Sequence, residues 1–293
     1  MRAKSSFRPG RLFIYAMLLV AAVFMLVPLV AMVFTSLKSM PEITGLAPYS
    51  GGTILSIPVD PSFDAWKSAW SSACIAVACD GLRPYFWNTI VLCVFSVTIS
   101  VSIGAVNGYA LTKWRFKGDS VIFALLLFGC FIPFQIVLIP IARLLGLMGL
   151  SGSMAGLIAV HVIYGISFTT LFFRNFYVTV PDELIKAARI DGAGFWSIFF
   201  RVLLPVSAPI AVVAVIWQFT SIWNDFLFGA SFSGPNSRPL MVALNNLVNT
   251  STGIKAYNID MAAAVIAALP TMVVYVLAGK FFVRGLMAGA VKG

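Results

Sequence analysis

The sequence predicts an all-α, polytopic membrane protein with about six transmembrane helices. Of the 293 residues, 60% are hydrophobic and only 10% are charged, and the mean hydropathy is +0.97. Soluble domains carry roughly 25% charged residues, so this composition excludes a soluble globular chain. The apolar runs are long and continuous, which favours helices over a β-barrel, because barrel strands alternate in short segments.

Six apolar runs are long enough to cross a bilayer, which takes about 20 helical residues. They cover residues 13–34, 86–111, 121–142, 155–176, 208–228 and 261–282. A cleaved signal peptide is the alternative for the first run, although the run is long and no small-residue cleavage site follows it. We expect a single transmembrane domain over residues 1–293.

The basic residues predict the orientation, because cytoplasmic loops collect Lys and Arg. With the N-terminus inside, most of the 20 basic residues fall in cytoplasmic segments. The exceptions fall outside and are Lys38, Lys67, Arg83, Arg143, Arg238 and Lys255. This bias predicts that both termini are cytoplasmic. The net charge of +10 is not read as a sign of a nucleic-acid partner, because in a membrane protein the location of the charge matters more than its sum.

The longest polar segment, residues 37–85, is predicted to form a small extracytoplasmic cap with one or two short helices. It contains Cys74 and Cys79. An oxidising compartment permits a disulfide between them, and two free thiols are the alternative. Cys93 and Cys130 fall in apolar spans and are interpreted as packing residues. No metal site is expected, since the only histidine, His161, lies in the middle of a span.

A polar element interrupts the apolar pattern inside the predicted cytoplasmic loop 177–207. It reads "PDELIKAARIDGAGFWSIFFRVLLP" from Pro181 to Pro205. Proline suits the first turn of a helix, and the acids that follow suit its dipole. The Asp-Gly pair ends that helix, an apolar helix follows, and Pro205 ends the second one. The predicted small apolar face of the first helix consists of Leu184, Ala187, Ala188 and Ile190.

Two interpretations of this element remain open on the residues alone. It can be a docking site for a soluble protein, because charged and small residues together are typical of a protein-binding helix. It can also be an interfacial amphipathic helix that only anchors the loop to the membrane.

The same element resembles the EAA loop of binding-protein-dependent ABC importer permeases. That loop reads E-A-A, three residues, G, nine residues, I-x-L-P. Here Ala187-Ala188 precede Gly192 by that spacing, and 202–205 read Val-Leu-Leu-Pro. The first position departs from the pattern, because Lys186 replaces Glu. Glu183 lies three residues earlier and offers a partial substitute for the acid.

The resemblance covers nearly the whole chain and is strongest to the MalG-type carbohydrate subfamily. The stretches that carry it are "FWNTIVL", "GYALTKWRFKG", "IPFQIVLIP", "WNDFLF" and "YVLAGKFFVRGLMAGAVKG". The extracytoplasmic loop is similar to that of glucose/mannose-type members. This resemblance implies a permease subunit of an ATP-driven sugar importer, embedded in the lipid of a bacterial plasma (inner) membrane.

In that family the chain forms half of a heterodimeric pore. The implied partners are a second permease, a dimer of ABC ATPase subunits and an extracytoplasmic sugar-binding protein. This chain lacks a P-loop sequence, so ATP and Mg would bind to the ATPases instead. The chain itself is expected to hold no cofactor and to catalyse no reaction. The residues implied to couple to the ATPase are Glu183, Lys186, Ala187, Ala188, Asp191, Gly192 and Pro205.

A substrate pathway is suggested by Trp223, Asn224 and Asp225 at the outer end of the fifth span. Aromatic rings stack on sugar faces, and amide and carboxylate groups bind hydroxyls. The alternative is an interfacial cap in which Asp225 binds backbone amides. An ion-coupled secondary transporter and an importer of a non-sugar solute are the alternative functions. The first would leave 181–205 without a role.

Overall fold

The computed structural model describes residues 9–46, 55–249 and 255–290. Within these ranges all regular elements are helices. In chain order they are α1 (Pro9–Ser36), α2 (Met40–Thr44), α3 (Asp64–Ser71), α4 (Arg83–Lys113), α5 (Asp119–Phe131), α6 (Phe134–Leu147), α7 (Met154–Thr179), α8 (Asp182–Ile190), α9 (Phe195–Ile198), a π-helical turn (Phe199–Leu203), α10 (Leu204–Val206), α11 (Ala208–Trp223), α12 (Leu227–Phe232), α13 (Leu240–Val248) and α14 (Tyr257–Ala290).

Four of the described helices are each long and apolar enough to cross a membrane: α1, α4, α7 and α14. Two further spans are bent. The axes of α5 and α6 meet at 104°, and the segment Phe195–Val206 meets α11 at 80°. Counting each bent pair as one span gives six, so the all-α polytopic prediction is confirmed.

The prediction of one continuous third span, 121–142, was wrong. The helix stops at Phe131 and restarts at Phe134, with Ile132 in extended conformation and Pro133 as the N-cap residue of α6. A residue that precedes proline is sterically disfavoured in the α region, which explains the break. The fifth span also differs from the prediction, since α11 ends at Trp223 rather than at residue 228.

The chain divides into two compact units, a subdivision that the single-domain prediction did not include. The first comprises Met1–Leu82 and Leu247–Ile266. Its polar segment contains the two short helices α2 and α3. There the Glu42 carboxylate accepts a hydrogen bond from the Val59 amide (2.8 Å). A disulfide joins Cys74 to Cys79.

The second unit comprises Arg83–Asn246 and Ala267–Gly293, and the pairing of α4 with α7 is its centre. Small residues allow this pair to approach closely. A Cβ placed on Gly108 would lie 2.7 Å from the Phe173 side chain. Polar side chains also connect the two helices, as the Thr169 hydroxyl donates to the Ser100 carbonyl (2.9 Å).

A buried core fastens the loop that contains α8 to the ends of these helices. It contains Ala105, Tyr109, Phe173, Tyr177, Val180, Ile185, Ile198, Phe199, Leu203 and Ala214. The core therefore draws on α4, α7, α8, α9, the π-helical turn and α11. The Tyr109 ring lies 4.6 Å from the Phe195 ring, centroid to centroid. This close-packed core connects α8 to the ends of α4 and α7.

Candidate functional site

Helix α8 has well-defined ends. Pro181 is its N-cap residue, and Asp182 and Glu183 occupy the first turn, where the helix dipole favours acids. At the other end, the Gly192 amide donates to the Arg189 carbonyl (3.0 Å) and the Ala193 amide to the Ala188 carbonyl (2.9 Å). This pair of hydrogen bonds is a Schellman motif, and Gly192 supplies its left-handed residue, with φ +81°.

The faces of α8 differ from the predicted ones. Ile185 is buried (4% exposed) and Ala188 packs against the core, so these two residues hold the helix to the protein. Leu184 (48% exposed), Ala187 and Ile190 (87% exposed) face away from it. The prediction that Ala187 and Ala188 share one face was therefore wrong, because they are adjacent in sequence and about 100° apart around a helix.

The outward side of α8 forms a continuous surface, which we call the coupling face. It consists of Glu183, Leu184, Ala187, Ile190, Asp191 and Gly192, all of them exposed. Nothing in the described structure lies within 4 Å of a Cβ built on Gly192. An aliphatic patch of this kind on a polar helix, with open space beside it, is typical of a protein-binding surface.

A second side of α8 contacts the loop that follows α4. The Lys113 ammonium donates to the Val180 carbonyl (2.6 Å) and to Asp182 Oδ1 (2.5 Å). Arg189 Nη2 donates to the Lys113 carbonyl (3.0 Å), and its guanidinium lies 4.5 Å from the centre of the Trp114 ring. The hydrogen bond and charge of Lys113 hold the pKa of Asp182 below its ordinary value, and the charges of Lys186 and Arg115 lower that pKa further.

Three of the predicted coupling residues lie off the coupling face: Ala188, which packs against the core, Lys186 and Pro205. Lys186 lines a cavity between α8 and this loop. Pro205 does not end its helix as predicted, because it sits in the first turn of α10, where a missing amide hydrogen costs nothing. The break follows at Ser207 instead. Its hydroxyl donates to the Tyr177 hydroxyl (2.9 Å) and ties the bend to α7.

A second candidate site is a cavity of about 730 Å³. Its aromatic wall consists of Phe131, Phe134, Tyr164, Phe168, Trp217, Phe226 and Phe228. Its polar groups are His161, Gln218, Ser221, Asn224 and Asp225. The break between α5 and α6 contributes to the wall, since Phe131 through Phe134 all line it. Aromatic side chains with a few convergent polar groups are typical of small-molecule sites.

Asp225 has both of the roles that the sequence left open. Its carboxylate accepts hydrogen bonds from the amides of Phe228 (3.3 Å) and Gly229 (3.0 Å), which caps α12. It also lines the cavity, where Oδ2 lies 3.6 Å from Nε2 of His161. That imidazole nitrogen is buried and has no hydrogen-bond partner in the described structure. A buried polar atom of this kind is available to a ligand or to water.

Trp223, which we predicted to lie on the substrate pathway, does not line the cavity. It is fully buried (0% exposed), and its indole Nε1 donates to the Ala267 carbonyl (2.9 Å). Asn224 does line the cavity, and its amide also donates to the Thr220 carbonyl (3.0 Å). The pathway residues from this stretch are therefore Asn224 and Asp225.

Sequence reasoning missed the role of the loop after α4 and most of the cavity wall. The loop could have been noticed from its basic-aromatic run "KWRFK". We interpreted that run only as part of the charge bias and predicted no contact for it. The aromatic wall is assembled from α5, α6, α7, α11 and the residues after it, so no local pattern marks it. Among the described residues, no cluster of metal-ligating side chains is present.

Residues 96–286 match the protein family described as "Binding-protein-dependent transport system inner membrane component". The match covers more than half of the chain. The chain belongs to this family. It is a multi-pass membrane permease, the pore component of an ABC importer rather than an enzyme. Family membership also decides against an ion-coupled secondary transporter.

Named relatives are similar over much of this permease. The probable ABC transporter permease protein PH1216 of Pyrococcus horikoshii is 43% identical over 188 residues, which cover 64% of this chain and 68% of that protein. The xylose/arabinose import permease XacI of Haloferax volcanii is 29% identical over 297 residues, covering 94% of this chain and 92% of its own length.

A solved structure shares the fold. It is the crystal structure of a bacterial ABC transporter involved in the import of the acidic polysaccharide alginate. One of its chains superposes with a TM-score of 0.78 and 23% sequence identity, covering 96% of this permease and 100% of that chain. At this level of sequence identity, the similarity shows a shared fold alone.

Proposed function

We propose that this permease forms half of the pore of a sugar importer and that α8 couples the pore to an ATPase subunit. The other half would be a second permease. A dimer of ATPases would bind ATP and Mg at the cytoplasmic surface, and a binding protein would deliver the sugar from outside. The bacterial inner membrane remains the predicted location.

The coupling face of α8 carries this proposal. The helix exposes Leu184 and Ile190 to solvent, and burying these side chains against a partner protein would be favourable. The opposite side of the same helix is fixed to the core through Ile185 and Ala188. A partner that moves the coupling face therefore moves α4, α7 and α11 with it, which is what alternating access requires of a two-state pore.

The cavity supports a sugar as the solute. Aromatic rings on one wall suit the apolar faces of a pyranose, and His161, Asn224 and Asp225 offer groups that bind hydroxyls. The name of the XacI relative, an importer of xylose and arabinose, agrees with this assignment. An anionic solute is disfavoured, because the described residues that line the cavity include a carboxylate and no Lys or Arg.

Purification of the intact complex tests the assembly. We expect a mild-detergent pull-down of this chain from its native membrane to bring down an ATPase with a P-loop and a second permease, both identifiable by mass spectrometry. A chain that is recovered alone and transports by itself on an ion gradient would contradict the proposal.

Cys130 provides a test of the sugar assignment, because it lines the cavity. Cys93 is buried, and Cys74 and Cys79 are joined to each other, so Cys130 is the thiol open to a small maleimide. In the reconstituted complex, a transported sugar should slow the labelling of Cys130, whereas a sugar that is not transported should leave the rate unchanged. Unchanged labelling with a transported sugar would show that the cavity does not lie on the sugar's pathway.

A further inference from the structure

A basic cavity lies beside α8, apart from the coupling face and from the larger cavity. Its volume is about 540 Å³. It is lined by Thr112, Lys113, Trp114, Arg115, Asp182, Ile185, Lys186 and Arg189. Four of these side chains are cationic and one is anionic, so the walls carry an excess of positive charge.

The positive charge is only partly neutralised within the protein. Lys113 pairs with Asp182, and Arg189 stacks on Trp114 and donates to a carbonyl. Arg115 and Lys186 are exposed and form no ion pair within the described ranges. Both lie close enough to Asp182 for their charges to act on it. Like charges gathered around one carboxylate repel each other, and a bound anion would relieve this repulsion.

The position of the cavity indicates the source of the anion. Lys113 is the last residue of α4, a helix long enough to cross the membrane, so the cavity lies at a membrane surface. The charge bias predicts that this surface is cytoplasmic. One aromatic side chain, Trp114, lines the site and others lie near it, as expected at a headgroup boundary. Phe116 is exposed in the same loop, and the Trp114 ring packs 5.3 Å from the Phe195 ring.

We propose that this cavity binds the phosphodiester headgroup of an anionic phospholipid from the cytoplasmic leaflet. Phosphate oxygens would accept hydrogen bonds from Arg115 and Lys186, the two cations without an ion pair. The acyl chains would extend along the apolar surface near Phe116. The headgroup would bridge the loop after α4 and helix α8, so lipid composition would influence how firmly α8 is held. This inference goes beyond the proposed function and does not require the solute to be a sugar.

Native mass spectrometry of the purified complex tests the site. The probes are phosphatidylglycerol, phosphatidylcholine and inorganic phosphate. We expect wild-type complex to retain phosphatidylglycerol in preference to phosphatidylcholine. Because each cation near an anionic lipid surface strengthens binding by about fivefold, Arg115→Gln should weaken retention by about that factor, and the Arg115→Gln/Lys186→Gln double variant should weaken it more.

Lys117→Gln is the matched control, because Lys117 is an exposed cation of the same loop that does not line the cavity. It should retain phosphatidylglycerol as the wild type does. Equal retention by the wild type and the double variant would overturn the proposal. So would displacement of the lipid by inorganic phosphate, which would indicate a free-phosphate site. Loss of the ATPase from the double variant in every lipid would instead assign the cavity to an acidic side chain of that partner.

Discussion

At the residue scale, Gly192 combines two properties that substitutions can separate. Its φ of +81° strains any residue with a Cβ by about 1 kcal/mol, and this applies to alanine and glutamate alike. Space beside it is open in this chain. Any difference between the two variants therefore reports on a partner that approaches from outside.

We expect Gly192→Glu to abolish uptake while the chain still inserts in the membrane, and Gly192→Ala to retain a measurable part of it. The larger, charged side chain would block the approach of the ATPase, whereas the methyl group adds mainly strain. The measurements are sugar uptake in vesicles, normalised to the amount of inserted permease, and the amount of ATPase that each variant retains. Equal loss in both variants would assign the role of Gly192 to backbone conformation alone.

Asp182 provides a second prediction at this scale. Lys113 holds the pKa of this carboxyl below its ordinary value of 3.8. Its contribution to the docking of α8 is therefore present at neutral pH and lost only as the pH falls through that lowered pKa. Asp182→Asn should remove the contribution at neutral pH, and hydrogen exchange of the α8 amides should become faster.

Asp191→Asn is the control for this experiment, since Asp191 is exposed at the other end of α8 and forms no ion pair in the described structure. Exchange in this control should match the wild type. An Asp182→Asn variant with unchanged exchange would show that the core contacts of Ile185 hold the helix without help from the ion pair.

At the element scale, the break between α5 and α6 depends on Pro133. Pro133→Ala relieves the restriction on Ile132 and allows the helix to continue, which would draw the aromatic wall out of the cavity. We expect altered maleimide labelling of Cys130 and reduced uptake. Pro140→Ala, within α6 and away from this cavity, should leave the labelling of Cys130 unchanged. Equal effects of the two variants would contradict a specific role of the break.

The pairing of α4 with α7 depends on the small size of Gly104. A Cβ there would overlap the Thr169 side chain and lie 2.8 Å from its carbonyl carbon, which cannot move aside cheaply. Gly104→Ala should therefore reduce the free energy of unfolding by about 1–3 kcal/mol, read as a lower thermal midpoint of the solubilised complex. Gly279→Ala, which meets nothing within 4 Å, should be neutral or slightly stabilising.

At the scale of the whole molecule, hydropathy was sufficient to predict the helical, polytopic class, because lipid leaves the backbone few alternatives. Local chemistry also predicted that α8 begins beside Pro181 and that the Asp191-Gly192 pair ends it. Helical periodicity already places Ala187 and Ala188 on different faces, but which of the two the core buries was not predictable, because a pair of small residues does not reveal it. The burial of Trp223 depends on a contact with Ala267, and such distant contacts leave no mark in the local sequence.

The docking of an ATPase on the coupling face is the central claim, and a photocrosslink at position 190 tests it most directly. Ile190 is 87% exposed, so a photoreactive residue there would perturb the chain itself little. In the native complex we expect irradiation to join position 190 to a subunit that carries a P-loop, while the same group at Lys117 gives no such product. A complex that contains the ATPase but gives no crosslink to it from position 190, or a crosslink only to lipid, would contradict the claim and make α8 a membrane anchor.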